Sequence, residues 1–289
     1  MEICFVFLGN IGYDVRYTLI INATLDTQMK FPPVSHVRHM LVPVVFFTVL
    51  SSATAAFAAH PLITDDAGTV GAGKAQLEMN GEYGHDKEDG VTSTKTEGAA
   101  VLSYGLSEAV DLVVGLPYQH LRVKEPDSTL TENGISDTAI EVKWRFYEHD
   151  DLSLAIKPGL TLPTGDDEKG LGSGKTAYSL FFIASQEMAP WDFHLNLGYI
   201  RHENTLDEEK DIWHASVASS LALTEALRAV ANIGIERNPV KLADNDPAFF
   251  LAGLVYTLSE HFDIDCGIKY GLNDPETDYT VLAGITWKF

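Results

Sequence analysis

Residues 262–289 read FDIDCGIKYGLNDPETDYTVLAGITWKF, two runs of alternating side chains around a polar loop. In 279–289 the odd positions carry Tyr279, Val281, Ala283, Ile285, Trp287 and Phe289, and Thr280, Thr286 and Lys288 fall on even ones. A period of two places the two sets on opposite faces of a β-strand. The stretch therefore predicts a β-hairpin with one apolar and one polar face.

The same alternation fits two all-β classes. In a soluble sandwich the apolar face packs against a core, whereas in an outer-membrane barrel it contacts lipid and the polar face lines a lumen. Connection lengths distinguish the two classes better than alternation does. We predict twelve strands, at 74–84, 96–106, 109–122, 136–147, 152–163, 176–187, 191–202, 211–223, 226–237, 247–259, 262–271 and 278–289.

The predicted connections alternate strictly between long polar segments and tight turns. The turns lie near residues 107–108, 149–150, 189–190, 224–225 and 260–261. An up-and-down barrel with long outer loops and short periplasmic turns requires this rhythm, and a Greek-key sandwich does not. We therefore predict an all-β, up-and-down antiparallel transmembrane β-barrel of about twelve strands. The long connections are 84–95, 123–135, 164–175, 202–210, 238–246 and 272–278.

Composition excludes other classes. The formal charge of −21 would repel a phosphate backbone, which argues against nucleic-acid binding. No apolar run reaches the roughly 18 residues that a transmembrane helix needs. A hydrophobic content of 45% argues against wholesale disorder.

The N-terminal part predicts export. Lys30 and Arg38 precede the apolar run 41–50, and Ala56-Phe57-Ala58 provides a small-x-small cleavage pattern. We therefore expect a mis-called N-terminal extension at 1–28, with Met29 or Met40 as the true start. The signal peptide is then 29–58, a periplasmic N-terminal segment is 59–73, and the barrel is 74–289.

Motifs for catalysis and metal binding are missing from the sequence. It has no Walker loop, no GxSxG, no HExxH and no Cys/His cluster with zinc spacing. If Cys4 is removed with the extension, Cys266 is left without a partner for a disulfide. We therefore expect no catalytic residue, no metal site and no cofactor.

Several short motifs recur through the chain after the predicted signal peptide: HPLITDDAGT (60–69), GKAQLE (73–78), GLPY (115–118), GISDT (134–138), KWRF (143–146), LPTGD (162–166) and GSG (172–174). Together they resemble a known family, the outer-membrane proteins grouped as "MetA-pathway of phenol degradation". The resemblance covers most of the chain after the signal peptide. It implies an outer-membrane barrel, often described as a channel or transporter, and it implies neither a substrate nor catalytic residues.

The polar face of each predicted strand supplies the candidate functional residues. We interpret them either as the lining of a polar conduit or as ion pairs that only satisfy one another in a narrow barrel. A cylinder of twelve strands is about 24 Å across, which leaves a bore of about 10 Å after side chains are counted, unless loops or the N-terminal segment fill it. The inward-facing candidates are Glu78, Glu82, Glu141, Lys143, Arg145, Lys157, Arg228, Glu236, Asp263, Asp265, Lys269 and Lys288.

We therefore expect a porin-like channel in the bacterial outer membrane for passive passage of small organic solutes, including aromatic or hydrophobic ones. Expected partners are outer-membrane lipid and lipopolysaccharide, the small-molecule solute, and the barrel-assembly machinery, which would read the terminal Phe289. Two alternatives stay open. One is a lipase- or esterase-like outer-membrane enzyme using His214 and Ser216. The other is a non-transporting structural protein or a soluble periplasmic β protein.

Overall fold

The computed structural model of the chain describes residues 60–88 and 90–289. The predicted extension at 1–28, the predicted signal peptide at 29–58 and residue 59 lie outside the described residues. A short 3₁₀ turn covers Asp167–Lys169. Within the described ranges the strands are β1 (Ala75–Glu88), β2 (Val91–Ser107), β3 (Val110–Lys124), β4 (Thr129–Ile135), β5 (Thr138–His149), β6 (Leu152–Leu162), β7 (Ala177–Met188), β8 (Trp191–Arg201), β9 (Asp211–Ala222), β10 (Leu227–Glu236), β11 (Ala248–Ser259), β12 (Phe262–Gly271) and β13 (Tyr279–Lys288).

The strands form one closed antiparallel sheet. Consecutive strands pair around the ring, and β1 pairs with β13 as well as with β2, so the sheet has no open seam there. The backbone N–H groups of Ala75 and Phe289 donate to each other's carbonyl oxygens at 2.7 and 2.8 Å at the end of this closure. The predicted twelve-strand antiparallel barrel is confirmed.

One position of the ring is divided between two strands. The half of β3 nearer its C-terminal end pairs with β4, and Val110–Gly115 of the same strand pairs with β5. Pro117 lies at the junction, where it donates no N–H, and its carbonyl accepts from Ser136 N at 2.9 Å. Because the ladder is interrupted there, residues 136–137 separate β4 from β5, and the two strands together fill one barrel position.

Two predicted outer loops are wrong. Residues 84–95 are mostly strand, since β1 continues to Glu88 and β2 begins at Val91, and 123–135 contains β4. Both stretches are rich in threonine and charged residues on both faces, so they carry no apolar period that would mark them as strands. The remaining long loops and all five tight turns lie where the alternation predicts them. We call the end with the tight turns the turn end and the opposite end the loop end.

The two faces of the wall differ as a barrel requires. Outward positions carry large exposed apolar side chains, such as Leu116, Val217, Val281 and Trp287, on strands all around the ring. A continuous apolar band of this kind is stable in contact with lipid and unfavourable in water. Among residues 60–88 and 90–289, no helix has the length and apolar character needed to cross a membrane.

The inner face combines polar side chains with two small apolar clusters. Phe249 is buried and points inward, while its neighbour Phe250 points outward, so β11 keeps the regular alternation. The first cluster is Ala67, Ala155, Phe181, Ile183, Ile200 and Ile212. The second is Phe249, Leu251 and Leu282, with Leu62 and Ile63 packed against it. Residues that precede β1 thus contribute to both clusters.

Candidate functional site in the barrel lumen

Residues 60–73, which we call the inner segment, lie inside the barrel and not beyond its periplasmic end as predicted for 59–73. His60 Nδ1 contacts Asp265 Oδ1 of β12 at 2.5 Å, and Ala67 N donates to Ser185 Oγ of β7 at 2.8 Å. The contacts therefore reach strands on widely separated parts of the ring. The sequence left open that the N-terminal segment fills the bore, but it did not indicate which inner-face residues would hold that segment.

Asp65 is the most strongly held residue of the inner segment. Its two carboxylate oxygens accept from Lys143 Nζ and Lys157 Nζ, each at 2.8 Å, and Lys157 lies 3.5 Å from Glu141. Burial by itself would raise the pKa of Asp65, but the two ammonium charges and their hydrogen bonds outweigh burial and hold that pKa below its usual value. The Asp65 carboxylate is therefore ionised, and it is held by one lysine of β5 and one of β6.

Backbone N–H and C=O groups of the inner segment form hydrogen bonds with two asparagine side chains of the wall. Asn232 Oδ1 accepts from the N–H groups of Ile63 and Thr64 at 2.8 and 3.0 Å. In the amide orientation that satisfies both partners, Asn196 accepts from Asp65 N at 2.7 Å and donates to Asp65 O at 2.9 Å. Both asparagines are buried. These contacts replace water for a backbone that has no ladder of its own.

A third contact involves the serine and histidine of the enzyme alternative. His214 Nε2 lies 2.9 Å from Ser216 Oγ, and His214 Nδ1 lies 3.1 Å from Glu236 Oε2. Thr64 Oγ1 donates to Ser216 Oγ at 2.7 Å. The arrangement matches the atom order of a nucleophile, base and carboxylate, but the inner segment covers the hydroxyl. In this geometry Ser216 anchors Thr64.

Glycines on the inner wall provide space for the inner segment. A Cβ atom on Gly105 would lie 1.9 Å from Gly71 O, and one on Gly253 would lie 2.9 Å from Pro61 Cγ. A Cβ on Gly267 would also approach Pro61, at 3.2 Å. Any side chain at Gly105 would displace the inner segment from its present course.

The inner segment leaves the lumen at the turn end and continues into β1. Val70 N donates to Asp111 Oδ2 at 2.9 Å, and Thr69 Oγ1 donates to Glu108 O at 2.8 Å. Gly73 N then donates to Gly105 O at 2.9 Å, two residues before β1 begins. These contacts fix the direction in which the chain enters the wall.

The structure places the twelve inward-facing candidates on the inner face. Lys143, Lys157 and Asp265 contact the inner segment directly. Others pair with nearby acids. Lys288 of β13 contacts Asp263 of β12 at 2.6 Å, and Lys269 contacts Glu276 of the following loop at 2.8 Å. Glu141 contacts Lys157, Glu236 contacts His214, and Arg145 pairs with Glu148. The remaining candidates are Glu78, which is buried, Glu82, which is half-buried, and Arg228, which is exposed near the turn end.

Several important residues were not among the candidates. The candidate set held only charged side chains of the strands, so it omitted Asn196, Asn232 and Ser185, although their parity along β8, β10 and β7 places them inward. Asp65 was omitted because it precedes the first strand. The two asparagines could have been found from strand parity, whereas the role of Asp65 depends on contacts between residues distant in sequence.

Two adjoining cavities lie between the inner segment and the wall toward the turn end. The first has a volume of about 560 Å³ and is lined by residues that include Asp65, Glu78, Val101, Asp111 and Val113. The second has a volume of about 510 Å³ and is lined by residues that include His60, Arg145, Arg228 and Asp263. Both are lined by Asp66, Gly68, Gln76, Glu78 and Lys288. The inner segment thus narrows the lumen, and open space remains between this segment and the wall toward the turn end.

The described residues do not form a metal site. Within 60–88 and 90–289 no group of three or more His, Cys, Asp or Glu side chains is arranged to hold a metal ion. Cys266 is a free, exposed thiol on the outward parity of β12.

Comparison with solved structures identifies barrels of the same kind. The COG4313 outer membrane channel from Pseudomonas putida F1 aligns with a TM-score of 0.62 and 14% identity, over 78% of this chain and 98% of that chain. The translocator domain of the autotransporter NalP from Neisseria meningitidis aligns with a TM-score of 0.49 and 12% identity, over 76% and 89% of the two chains. At 14% identity the similarity to the Pseudomonas putida F1 channel is one of fold.

The sequence itself gives a more specific result. No curated protein matches the chain. A family model does match, over residues 58–289, which include the inner segment and every strand of the barrel. The resemblance inferred from the short motifs is therefore confirmed. The chain belongs to the family described as "Putative MetA-pathway of phenol degradation".

Proposed function

We propose that the protein is an outer-membrane channel through which small organic solutes diffuse passively. The observation that carries the proposal is the closed barrel with an apolar outer face and a lumen that is polar along much of its wall. Such a wall stabilises a spanning structure in lipid and offers hydrogen-bond partners to a solute inside. The similarity in fold to the Pseudomonas putida F1 outer membrane channel supports the same class.

The inner segment sets the size of solute that this channel accepts. The contacts of Asp65, Thr64 and His60 hold it across the lumen, so passage requires either the space beside it or its displacement. With the segment in place, the free space is that of cavities of about 510 and 560 Å³. Each of those volumes is large enough for a single-ring organic molecule.

The proposal includes a location and partners. The protein resides in the outer membrane of a Gram-negative bacterium after removal of its signal peptide, in contact with lipid and lipopolysaccharide. Phe289, whose backbone closes β13 on β1, is the residue that we propose the barrel-assembly machinery reads. The proposed solutes include aromatic or hydrophobic ones, since the family description refers to phenol degradation.

Planar bilayers provide the test. We expect the refolded chain from residue 59 onward to give small, discrete conductance steps. A variant that lacks 60–70 should give larger ones, because its bore approaches about 10 Å. Heat-modifiable migration on a gel would verify that both barrels are folded. If neither folded protein conducts, the channel proposal is wrong and a structural role is favoured; extraction by salt without detergent would instead favour a soluble protein.

A further inference from the structure

The wall of the first cavity contains buried carboxylate oxygens without partners. Glu78 Oε1 accepts from Gln76, but Glu78 Oε2 has no hydrogen-bond partner among the described residues, and neither does Asp111 Oδ1. Glu78 is 5% exposed and Asp111 is 2% exposed, and both line the first cavity. A buried acceptor without a donor is unfavourable unless something in the cavity supplies one.

The lysines nearest these acids are already engaged. Lys143 donates to Asp65 at 2.8 Å, and Lys288 donates to Asp263 at 2.6 Å. Lys74 also lines the first cavity, but it is exposed. The other acids along the cavity, Asp65, Asp66 and Glu260, add negative charge. The first cavity therefore has more carboxylates than basic side chains.

Apolar surface lies between the two acids. Val101 on β2 is the cross-strand partner of Glu78 on β1, and Val113 on β3 is two residues from Asp111, so both valines face the lumen. Both are buried and line the first cavity. A ligand that fits this wall combines an apolar body with donors of positive charge.

We propose that the first cavity binds a small organic ammonium ion with an apolar body. An alkylammonium group carries three N–H donors and a positive charge, which match the free oxygen of Glu78, and Asp111 adds negative charge to the same cavity wall. A single aromatic ring fits the volume of about 560 Å³ and packs against Val101 and Val113. The inference rests on the proposed channel function, for which it names a class of solute.

The ligand is not a chelated metal ion, since the residues at 60–88 and 90–289 provide no three-donor group for one. An organic anion is disfavoured, because it would meet the free carboxylate oxygens in a cavity with more carboxylates than basic side chains. The neutral counterpart retains the apolar contact but lacks the charge. The ammonium ion, the organic anion and the neutral compound differ in one functional group and can be compared directly.

Calorimetric titration of the folded protein in detergent tests the proposal with benzylammonium, benzyl alcohol and benzoate. We expect benzylammonium to bind at least about tenfold more tightly than benzyl alcohol, and benzoate to give no measurable heat of binding. Glu78→Gln should weaken benzylammonium binding by about tenfold and leave benzyl alcohol unchanged. Glu225→Gln, in the β9–β10 turn and not on the cavity wall, is the matched control.

The outcomes separate this proposal from the channel itself. Equal affinities for benzylammonium and benzyl alcohol, or no binding of benzylammonium to the folded wild-type protein, would overturn the ammonium site even if bilayers show conductance. Binding without conductance would support the site and refute the channel. The comparison of the three compounds on wild-type protein needs no variant, so a folding defect in Glu78→Gln would not remove the test.

Discussion

The carboxylate of Asp65 lies 2.8 Å from Nζ of Lys157, and both side chains are buried inside the barrel. One partner precedes the first strand and the other lies in the middle of β6. Since an unpaired buried charge is costly, this pair is a major restraint on the inner segment. In the proposed channel, this pair would link conductance to the position of a segment outside the strands.

Asp65→Asn should release the inner segment. Loss of one partner of a buried ion pair costs about 3–5 kcal/mol, which would change the ratio of seated to released segment by about a hundredfold or more. We expect larger and more variable conductance steps, measured in planar bilayers. Asp66→Asn removes the same charge from the neighbouring position, where Asp66 Oδ1 accepts only a local bond from Gly68 N in the described contacts, and should change conductance less. Equal effects of the two variants would contradict the assignment.

The pH dependence follows from the lowered pKa of Asp65. An acid whose pKa is lower in the folded protein contributes stability above its ordinary value of about 3.9 and loses it as pH falls through the folded pKa. We therefore expect constant conductance from pH 7 to about 4 and an increase only below that. Conductance recorded across this range, with Asp65→Asn as the control without this transition, checks the prediction. An increase in conductance between pH 7 and 5 would show that a group other than Asp65 holds the inner segment.

Gly105→Ala should disturb the inner segment where it approaches β2. The new methyl group would lie 1.9 Å from Gly71 O, and such overpacking costs about 1–3 kcal/mol. Gly98→Ala is the matched control on the same strand, because a Cβ there has no heavy atom within 4 Å. We expect faster proteolysis of the inner segment in Gly105→Ala than in the wild-type protein, and no increase in Gly98→Ala. Equal protease resistance would show that the segment does not need this clearance.

Ser216→Ala distinguishes an anchor from a nucleophile. We expect it to weaken the seating of Thr64 by about 1 kcal/mol, seen as a modest rise in conductance. Purified wild-type protein should show no esterase activity that the substitution removes. Loss of a measurable p-nitrophenyl ester hydrolysis in Ser216→Ala would instead support the enzyme alternative, because the His214 and Glu236 contacts already have the required order.

Phe289 tests assembly separately from folding. Its backbone closes the β1–β13 seam with Ala75, and its ring contacts Trp287 at a centroid distance of 4.9 Å. Phe289→Ala keeps the backbone bonds, so we expect it to refold in detergent but to reach the outer membrane at a several-fold lower level in cells. Removal of residue 289 should impair both. Normal cellular levels of Phe289→Ala would argue against recognition of the ring.

Strand parity predicted much of the wall correctly. The alternation in 262–289 assigned Asp263, Asp265 and Lys288 to the inner face, because the side-chain period of a strand is two wherever the strand lies. It failed at 84–95 and 123–135, where both faces are polar and no period is visible. It could not reveal the break beside Pro117, since the exchange of partners along β3 depends on pairing with distant strands.

The sequence by itself determined that the chain is an antiparallel barrel with an apolar outer and a polar inner face. Period, connection length and short family motifs are local properties, and they are present before the chain folds. Only the tertiary structure decided that residues 60–73 occupy the lumen and that cavities remain beside them. That result depends on contacts such as Asp65 with Lys157 and Thr64 with Asn232, which join residues far apart in sequence. Such contacts exist only after the ring closes, since closure brings their partners to one interior.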